Sequence, residues 1–291
     1  MNNQSMSNNN QMSHSCLIKF KYVYDQLKSA ERRAADFCLK NPGAIAHSTI
    51  TAVAKSAGCS EATFFRLARR LGYSGYTELR SKILGNGSEQ IVQQVGISWD
   101  DSIPTISKKV FETGIQALRD SFEMIDFELF EKAYHALLKS KNILFIGAGN
   151  AGGVAMAGAQ KFFRMGFNTH YYPDFDRQLV VLSYMTKGDL LVCISHSGQT
   201  KSVCDIAKIA KKQNVPILAI SNFPLSPLGK LADFTILTAS FSYDITGDVI
   251  SKRIPAMCIL ESLGVCTMMA LNDEQHDNME KANKILWQNK L

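Results

Sequence analysis

The stretch DLLVCISHSGQTKSV, from Asp189 to Val203, joins an apolar run to a short loop rich in hydroxyl groups. A helix-compatible segment follows the loop. α/β proteins build phosphate-binding sites from a strand, a polar loop and a helix in this order, because the helix turns its positive end toward the loop. The stretch therefore predicts an α/β domain with an anion site. It leaves open whether that site serves an enzyme or a sensor.

Four further apolar runs accompany this one, with starts spaced 18 to 27 residues apart: NILFIG (142–147), NTHYYP (168–173), PILAIS (216–221) and FTILT (234–238). Helical stretches lie between them. Such alternation predicts right-handed βαβ units and a parallel sheet covered on both faces. We expect a doubly wound, flavodoxin-like sheet of five strands in the order 2-1-3-4-5. Two helices, at 104–124 and 126–139, precede it, and a helix at 254–271 closes the domain.

A second candidate ligand-binding loop, GAGNAGG (147–153), follows the first strand. In the expected strand order the first and third strands are neighbours, so both loops open onto one crevice. Ser195, Ser197 and Thr200 supply hydroxyls, and Gly198 lets backbone N–H groups approach a ligand closely. This arrangement favours an anion, most simply a phosphate monoester.

Two other interpretations of these loops stay open. SHSGQT is compatible with an ordinary Ser/Gly turn in which Thr200 caps the next helix. Gly147, Gly149 and Gly152 form G-x-G-x-x-G, and Asp174 follows 22 residues later, as in dinucleotide-binding domains. The dinucleotide interpretation leaves the third-strand loop without a role.

Composition sets the class of protein. The chain has 291 residues, 46% hydrophobic and 20% charged, which is enough for two domains with a substantial core. It contains no run of the roughly 18 to 20 apolar residues that a membrane helix needs. The N-terminus lacks a signal-peptide pattern, so we expect a cytoplasmic protein. Seven cysteines without CxxC spacing predict reduced core thiols, and the six histidines are scattered along the chain. We expect no metal and no cofactor.

Charge is unevenly spread along the chain. Residues 16–87 hold twelve basic and five acidic side chains, a net charge of +7. The whole chain carries +6, so residues 88–291 sum to −1. A basic small domain joined to a nearly neutral large one predicts a polyanionic partner for the small domain.

The basic segment has a helical pattern throughout. Ile50 to Ala57 form a short amphipathic helix that Gly58 ends, and Ser60 caps a second helix from Glu61 to Leu71. Two short helices joined by a tight turn containing glycine predict a helix-turn-helix.

The second of these helices divides into two faces. Its apolar stripe consists of Phe64, Leu67, Ala68 and Leu71. The opposite face carries Thr63, Arg66 and Arg70, with Ala62 and Arg69 beside them. Such a face suits the major groove of DNA, where residues near the helix start reach base edges and arginines reach phosphates or guanine. A solvated charged face on an ordinary helical hairpin is the alternative.

Three segments together resemble the RpiR family of transcriptional regulators: SAERRAADFCLKNP (29–42), AVAKSAGCSEATFFRLARRLGYSGYTELR (52–80) and the SHSGQT loop. That family pairs an N-terminal helix-turn-helix with a C-terminal sugar isomerase (SIS) domain. The resemblance covers roughly residues 17–272. It implies a sensor of phosphosugars that binds double-stranded operator DNA as a homodimer or homotetramer, with no membrane association.

The resemblance also implies site residues. For DNA, the recognition-helix role falls on Ser60, Glu61, Thr63, Arg66, Arg69 and Arg70. For the phosphosugar, the first loop contributes Gly149, Asn150, Ala151 and Gly152, and the third-strand loop contributes Ser195, His196, Ser197, Gly198, Gln199 and Thr200.

The sequence departs from the family pattern at two places. Phe64 and Phe65 stand where the family usually has smaller β-branched residues; Phe65 does not fit the apolar stripe, so it either packs on the neighbouring helix or touches a thymine methyl. Ala151 stands where the family usually has a serine that contacts the ligand. Either the phosphate rests mainly on the third-strand loop and backbone N–H groups, or the ligand is altered, or Asn150 substitutes with its amide.

We divide the chain into a disordered tail (1–15), a helix-turn-helix domain (16–86), a linker (87–104) and a SIS domain (105–291). An isomerase needs an acid/base pair near the pocket. The candidates His196, Asp174, Asp244 and Glu261 form no identifiable pair in the sequence, and we expect His196 to be exposed and non-catalytic. We therefore predict a non-enzymatic regulator of carbohydrate metabolism; a phosphosugar isomerase with an N-terminal helical extension is the alternative.

Overall fold

The computed structural model describes residues 12–84, 97–240 and 251–289. The chain divides into two compact units, with the boundary between Val95 and Gly96. The smaller unit is helical, and the larger one contains a five-stranded parallel sheet. This confirms the predicted fold class.

Over residues 12–84 the smaller unit contains six short α-helices and one 3-10 helix, Tyr24–Gln26. The α-helices are α1 (His14–Val23), α2 (Ser29–Lys40), α3 (Pro42–His47), α4 (Ile50–Ser56), α5 (Glu61–Arg70) and α6 (Tyr76–Lys82). Phe64 of α5 is fully buried and meets the Tyr76 ring edge-on, with 6.2 Å between ring centroids. The Tyr76 hydroxyl donates to the carbonyls of Ile45 and Ser48 at 3.1 Å, which fixes α6 against the end of α3.

The smaller unit begins earlier than the sequence indicates. Ser13 caps α1, its Oγ accepting from the Cys16 N–H at 3.3 Å. The same hydroxyl donates to the Lys82 carbonyl at 2.7 Å, and Met12 pairs with Leu84 in an antiparallel bridge. Both ends of the unit are thereby joined, so the predicted tail of residues 1–15 ends too late; its first eleven residues lie outside the described part of the chain.

The larger unit alternates strands and helices. Its strands are β1 (Asn142–Gly147), β2 (Asn168–Tyr171), β3 (Leu190–Ile194), β4 (Ile217–Ser221) and β5 (Phe234–Leu237). Its helices are α7 (Ile103–Glu123), α8 (Phe127–Lys139), α9 (Asn150–Phe163), α10 (Phe175–Tyr184), α11 (Lys201–Lys212), α12 (Arg253–Met269) and α13 (Asp273–Trp287). All strands are parallel, and their order is β2-β1-β3-β4-β5.

Two apolar cores cover the two faces of this sheet. Ile143 and Phe145 of β1 face helices α8, α9 and α12, whereas Leu144 and Ile146 face α10 and α11. Every residue of β3 and β4 is buried, as expected for central parallel strands. This burial explains why the strands appear in the sequence as continuous apolar runs.

Three features of the larger unit differ from the sequence prediction. Residues 97–102, placed in the linker, belong to the unit: Lys109 Nζ lies 2.6 Å from Asp101 Oδ2, and Ser102 caps α7. Helix α13 was not predicted, and none of its residues is buried. In this unit the prediction of core thiols holds for Cys193 and Cys204 but is wrong for the exposed Cys258 and Cys266.

Candidate functional site

Helix α5 presents an exposed face with two arginines. Ser60 caps the helix, its Oγ accepting from the Thr63 N–H at 3.3 Å. The exposed positions along the helix are Glu61, Ala62, Phe65, Arg66 and Arg69. They follow an i, i+1, i+4, i+5, i+8 pattern, which is one continuous side of a helix.

Thr63 does not lie on this face, contrary to the sequence prediction. Its side chain is buried, at 3% exposure, where its hydroxyl lies 2.9 Å from Ser60 Oγ and accepts from Arg66 Nη2 at 3.3 Å. The buried part of the α5 surface is therefore wider than the apolar stripe indicates. Thr63 therefore orients Arg66 from below and does not reach outward itself.

Arg70 also differs from its predicted position. Its Nε donates to Glu31 Oε1 of α2 at 3.2 Å, and Glu31 is buried at 4% exposure. The other Glu31 oxygen accepts from the Lys28 N–H at 3.2 Å. Because one of its donors is committed to a buried carboxylate, Arg70 ties α5 to α2 and is only partly available to a ligand.

A shallow groove of about 430 Å³ runs beside the exposed face of α5. Its walls are Lys28, Ala30, Glu31, Phe65, Arg66, Arg69 and Arg70. The single acid of this lining is the buried Glu31, which is paired with Arg70. The groove is therefore basic, and it suits an extended anion.

The larger unit holds a pocket of about 260 Å³ at the carboxyl ends of the strands. Six of the predicted ligand residues line it: Asn150, Ala151, Ser195, His196, Ser197 and Thr200. The sheet topology places β1 beside β3, so the two loops meet as the strand order requires.

The loop after β3 is held in a tight, specific shape. The Gly198 N–H donates to the Ser195 carbonyl at 3.1 Å, and Gly198 has a φ of +62°, in the left-handed region. A Cβ at this glycine would lie 2.0 Å from Ser226 Oγ. Gly198 is thus required by the fold of the loop and does not line the pocket; the side chain of Gln199 points to solvent.

The hydroxyls of this loop are arranged around the start of α11. Ser195 Oγ lies 3.3 Å from Thr200 Oγ1. Thr200 is the N-cap residue of α11, yet its side chain does not cap the helix. The interpretation of the loop as an ordinary turn with a capping threonine therefore does not describe this geometry. The hydroxyls and the first-turn amides of α11 are directed at the same pocket.

His196 is half-buried and held in place, whereas the sequence suggested an exposed side chain. Its Nε2 lies 2.8 Å from the Ser240 carbonyl, and its ring meets Phe223 edge-on. Its own carbonyl accepts from the Asn222 N–H at 3.0 Å. These contacts tie the β3 loop to the ends of β4 and β5.

The first loop supports the pocket in a different way. Gly149, with φ +55°, is the N-cap residue of α9, so this helix also starts at the pocket. A Cβ at Gly147 would lie 2.6 Å from the Ala151 carbonyl, and Gly152 packs against the Tyr171 hydroxyl. The glycines therefore allow β1 and α9 to approach closely.

The dinucleotide interpretation does not fit Asp174. This carboxylate caps α10, accepting from the Arg177 N–H at 2.9 Å, and it does not line the pocket. Asp174 therefore has a structural role and does not lie where it could contact the ribose of a dinucleotide bound in the pocket.

Sequence reasoning missed the contribution of α12. Lys252 and Arg253, just before and at the start of this helix, line the pocket, as do Thr238 and Ala256. The signal was a pair of adjacent cations at the start of a predicted helix. It was overlooked because these residues lie far along the chain from both loops.

The acid/base candidates do not assemble in the pocket. Glu261 is paired with Lys161 on the outer side of α12, and Asp174 caps α10. Asp244 lies outside the described residues. Burial raises the pKa of Cys193 and of Cys204, so the two buried thiols beneath the loop stay neutral.

Within residues 12–84, 97–240 and 251–289, no three His, Cys, Asp or Glu side chains converge on a metal site. None of the helices in these ranges is long and apolar enough to cross a membrane.

Known proteins match both units. The helix-turn-helix domain of the rpiR family matches residues 14–90, and the SIS domain matches residues 136–260. The HTH-type transcriptional regulator HexR of Pseudomonas aeruginosa is 30% identical over 200 residues, which is 68% of this chain and 70% of HexR. An uncharacterized HTH-type transcriptional regulator of Thermotoga maritima is 29% identical over 269 residues, covering 91% of this chain and 95% of its own.

A solved structure has a similar fold. It is the Vibrio vulnificus NanR protein complexed with ManNAc-6P, at 23% identity and a TM-score of 0.59, covering 94% of this chain and 98% of that one. That structure shows the shared fold, and the matched domains together with HexR establish the family. The chain belongs to the RpiR family of helix-turn-helix transcriptional regulators, which carry a C-terminal SIS domain.

Proposed function

We propose that the protein is a regulator of carbohydrate metabolism that binds operator DNA through α5 and senses a phosphosugar in its SIS domain. The observation that carries the proposal is the pocket at the ends of β1 and β3. It brings three hydroxyls together with the starts of α9 and α11 and with two cations of α12.

The chemistry of the pocket favours a phosphate monoester. Ser195, Ser197 and Thr200 offer hydrogen bonds to phosphate oxygens, and helix starts stabilise negative charge. Lys252 and Arg253 add positive charge on the opposite element, and the lining contains no carboxylate among its described residues. ManNAc-6P, the ligand in the structure of the Vibrio vulnificus NanR protein, belongs to the same chemical class and supports the choice of a phosphosugar.

For DNA, the basic face of α5 is the proposed contact surface. Glu61, Arg66 and Arg69 face outward, and Ser60 is exposed at the N-cap. The buried Thr63 and the Glu31-paired Arg70 support this face from within the domain. A helix-turn-helix usually reads paired half-sites, so we expect a homodimer or homotetramer that acts in the cytoplasm.

The isomerase alternative has less support. Moving a proton between adjacent carbons needs an acid/base pair at the pocket. Among the described lining residues, His196 and Lys252 are of types that serve as general acids or bases, and no Asp, Glu, Tyr or Cys is present. His196 Nε2 is engaged with the Ser240 carbonyl. The sequence relatives HexR and RpiR are transcriptional regulators.

Calorimetric titration with a panel of sugar phosphates tests the sensing role. At least one sugar phosphate should bind, and Ser197→Ala should weaken it by about 1.5 to 3 kcal/mol, the value of a hydrogen bond to a charged group. Gln199→Ala is the matched control, because Gln199 lies in the same loop but points to solvent. Turnover of a bound sugar phosphate at about 1 per second or faster would instead favour the isomerase.

A further inference from the structure

One large side chain on the outer face of α5 is apolar. Phe65 is 47% exposed, although Phe64 beside it is fully buried. A single exposed phenylalanine on a protein surface needs no explanation in itself. This one is flanked by Arg66 and Arg69 on the helix face that we assign to DNA.

Phe65 is also held in a defined position. The Arg69 guanidinium carbon lies 5.5 Å from the centroid of its ring, within cation–π range. A Cβ at Gly75, before α6, would lie 3.2 Å from Phe65 Cε2. The ring therefore packs against the backbone of the next turn on one side, and its remaining half is presented outward in a fixed orientation.

The surroundings of the ring allow DNA to approach closely. Ala62, one turn earlier on the same face, has a side chain too small to hold the helix away from a groove. Phe65 and Ala30 supply the apolar part of the basic groove beside α5, and Lys28, Arg66 and Arg69 supply positive charge around it. An apolar patch within a cationic surface suits a ligand that is anionic along its backbone and apolar at one point.

Duplex DNA has this combination in its major groove, where thymine alone presents a methyl group. The geometry points to Phe65 as a specificity-determining residue that contacts the methyl group of a thymine in each operator half-site. The inference rests on the proposed recognition role of α5. If Phe65 makes this contact, α5 prefers a T·A base pair at one operator position because of an apolar contact and not because of a hydrogen bond.

Replacing thymine by uracil isolates this contact, because uracil pairs with adenine identically and lacks only the methyl group. The preferred site would first be obtained by selection from a pool of random duplexes. Each thymine of one half-site would then be replaced in turn, and the affinity of the full chain measured by fluorescence anisotropy. At one position uracil should weaken wild-type binding about fourfold, the value of one buried methyl group.

Variants of Phe65 decide whether that loss belongs to its ring. In Phe65→Ala the same thymine-to-uracil replacement should have no effect, and Phe65→Leu should retain part of the preference. Arg66→Ala is the matched control on the same face: it should weaken binding to thymine and uracil duplexes by equal factors.

Three results would overturn the inference. If Arg66→Ala weakens binding but no uracil position depends on Phe65, α5 keeps its recognition role and Phe65 does not read thymine. If neither Arg66→Ala nor Phe65→Ala changes affinity, the recognition role of α5 itself fails. If Phe65→Ala weakens both duplexes alike and changes the oligomeric state in sedimentation, the ring contacts a second copy of the chain.

Discussion

At the scale of single residues, Gly198 shows how little freedom the ligand loop has. Gly198→Ala would combine a strained positive φ with a Cβ placed 2.0 Å from Ser226 Oγ. We expect the variant to lose about 2 kcal/mol or more of unfolding free energy, because overpacking and backbone strain add. It should also lose sugar phosphate binding.

Urea unfolding with a matched glycine variant checks this expectation. Gly153 is exposed in α9, and a Cβ there would meet nothing within 4 Å. Gly153→Ala should therefore leave stability unchanged or raise it by up to about 1 kcal/mol. Equal unfolding free energies for the Gly198→Ala and Gly153→Ala proteins would contradict this expectation, because the loop would then accommodate a Cβ at residue 198 without cost.

Thr63 provides a second prediction at this scale. Thr63→Val keeps the shape of the buried side chain but removes the hydroxyl that accepts from Arg66 Nη2. DNA affinity should fall by about 1 kcal/mol, the typical worth of one hydrogen bond, and Thr63→Ser should restore it. In an Arg66→Ala background the valine should have no further effect. An additive loss in the double variant would mean that Thr63 acts independently of Arg66.

At the scale of elements, Asp189 joins β3 to β1. This buried carboxylate accepts from the Asn142 N–H at 3.0 Å, from Asn142 Nδ2 at 2.7 Å and from the Thr186 N–H at 2.7 Å. Burial by itself raises the pKa of Asp189, but the hydrogen bonds from Thr186 and Asn142 outweigh burial and hold the pKa below its ordinary value of 3.8.

The direction of this shift sets the pH dependence. A carboxyl group whose pKa is lower in the folded state stabilises the fold fully above its unfolded pKa, and the stabilisation is lost as the pH falls through the folded value. Asp189→Asn should therefore lower unfolding free energy at pH 7 by about 1.5 to 3 kcal/mol. The difference from wild type should shrink below about pH 4. A difference that stays constant from pH 7 to pH 3 would contradict this.

The same scale explains what the sequence could predict. Strands β1, β3 and β4 were predictable because each carries a nearly continuous apolar run, whereas the polar β2 was predictable only from its spacing in the alternation. The adjacency of the β1 and β3 loops follows from the strand order. Arg70 was assigned to the wrong side of α5 because its side chain pairs with Glu31 of α2, 39 residues earlier in the chain. Thr63 was assigned to the wrong side because its hydroxyl turns back to Ser60 Oγ and the side chain is buried. Periodicity within one helix does not contain that information.

At the scale of the whole molecule, the proposed function requires that the two units influence each other. The basic helical unit carries the proposed DNA face, and the nearly neutral unit carries the pocket. A ligand changes the affinity of the protein for DNA only as far as the ligand itself binds the DNA-bound and the DNA-free protein with different affinities. Sensing is therefore a measurable coupling between two affinities.

That coupling is the most direct test of the account. The affinity of the full chain for its selected operator would be measured by anisotropy with and without a saturating amount of the tightest-binding sugar phosphate. The account predicts a change of about fivefold or more, as for typical allosteric coupling. The change should persist in Gln199→Ala and disappear in Ser197→Ala at the same sugar concentration. An operator affinity that is identical with and without the bound sugar phosphate would contradict the account.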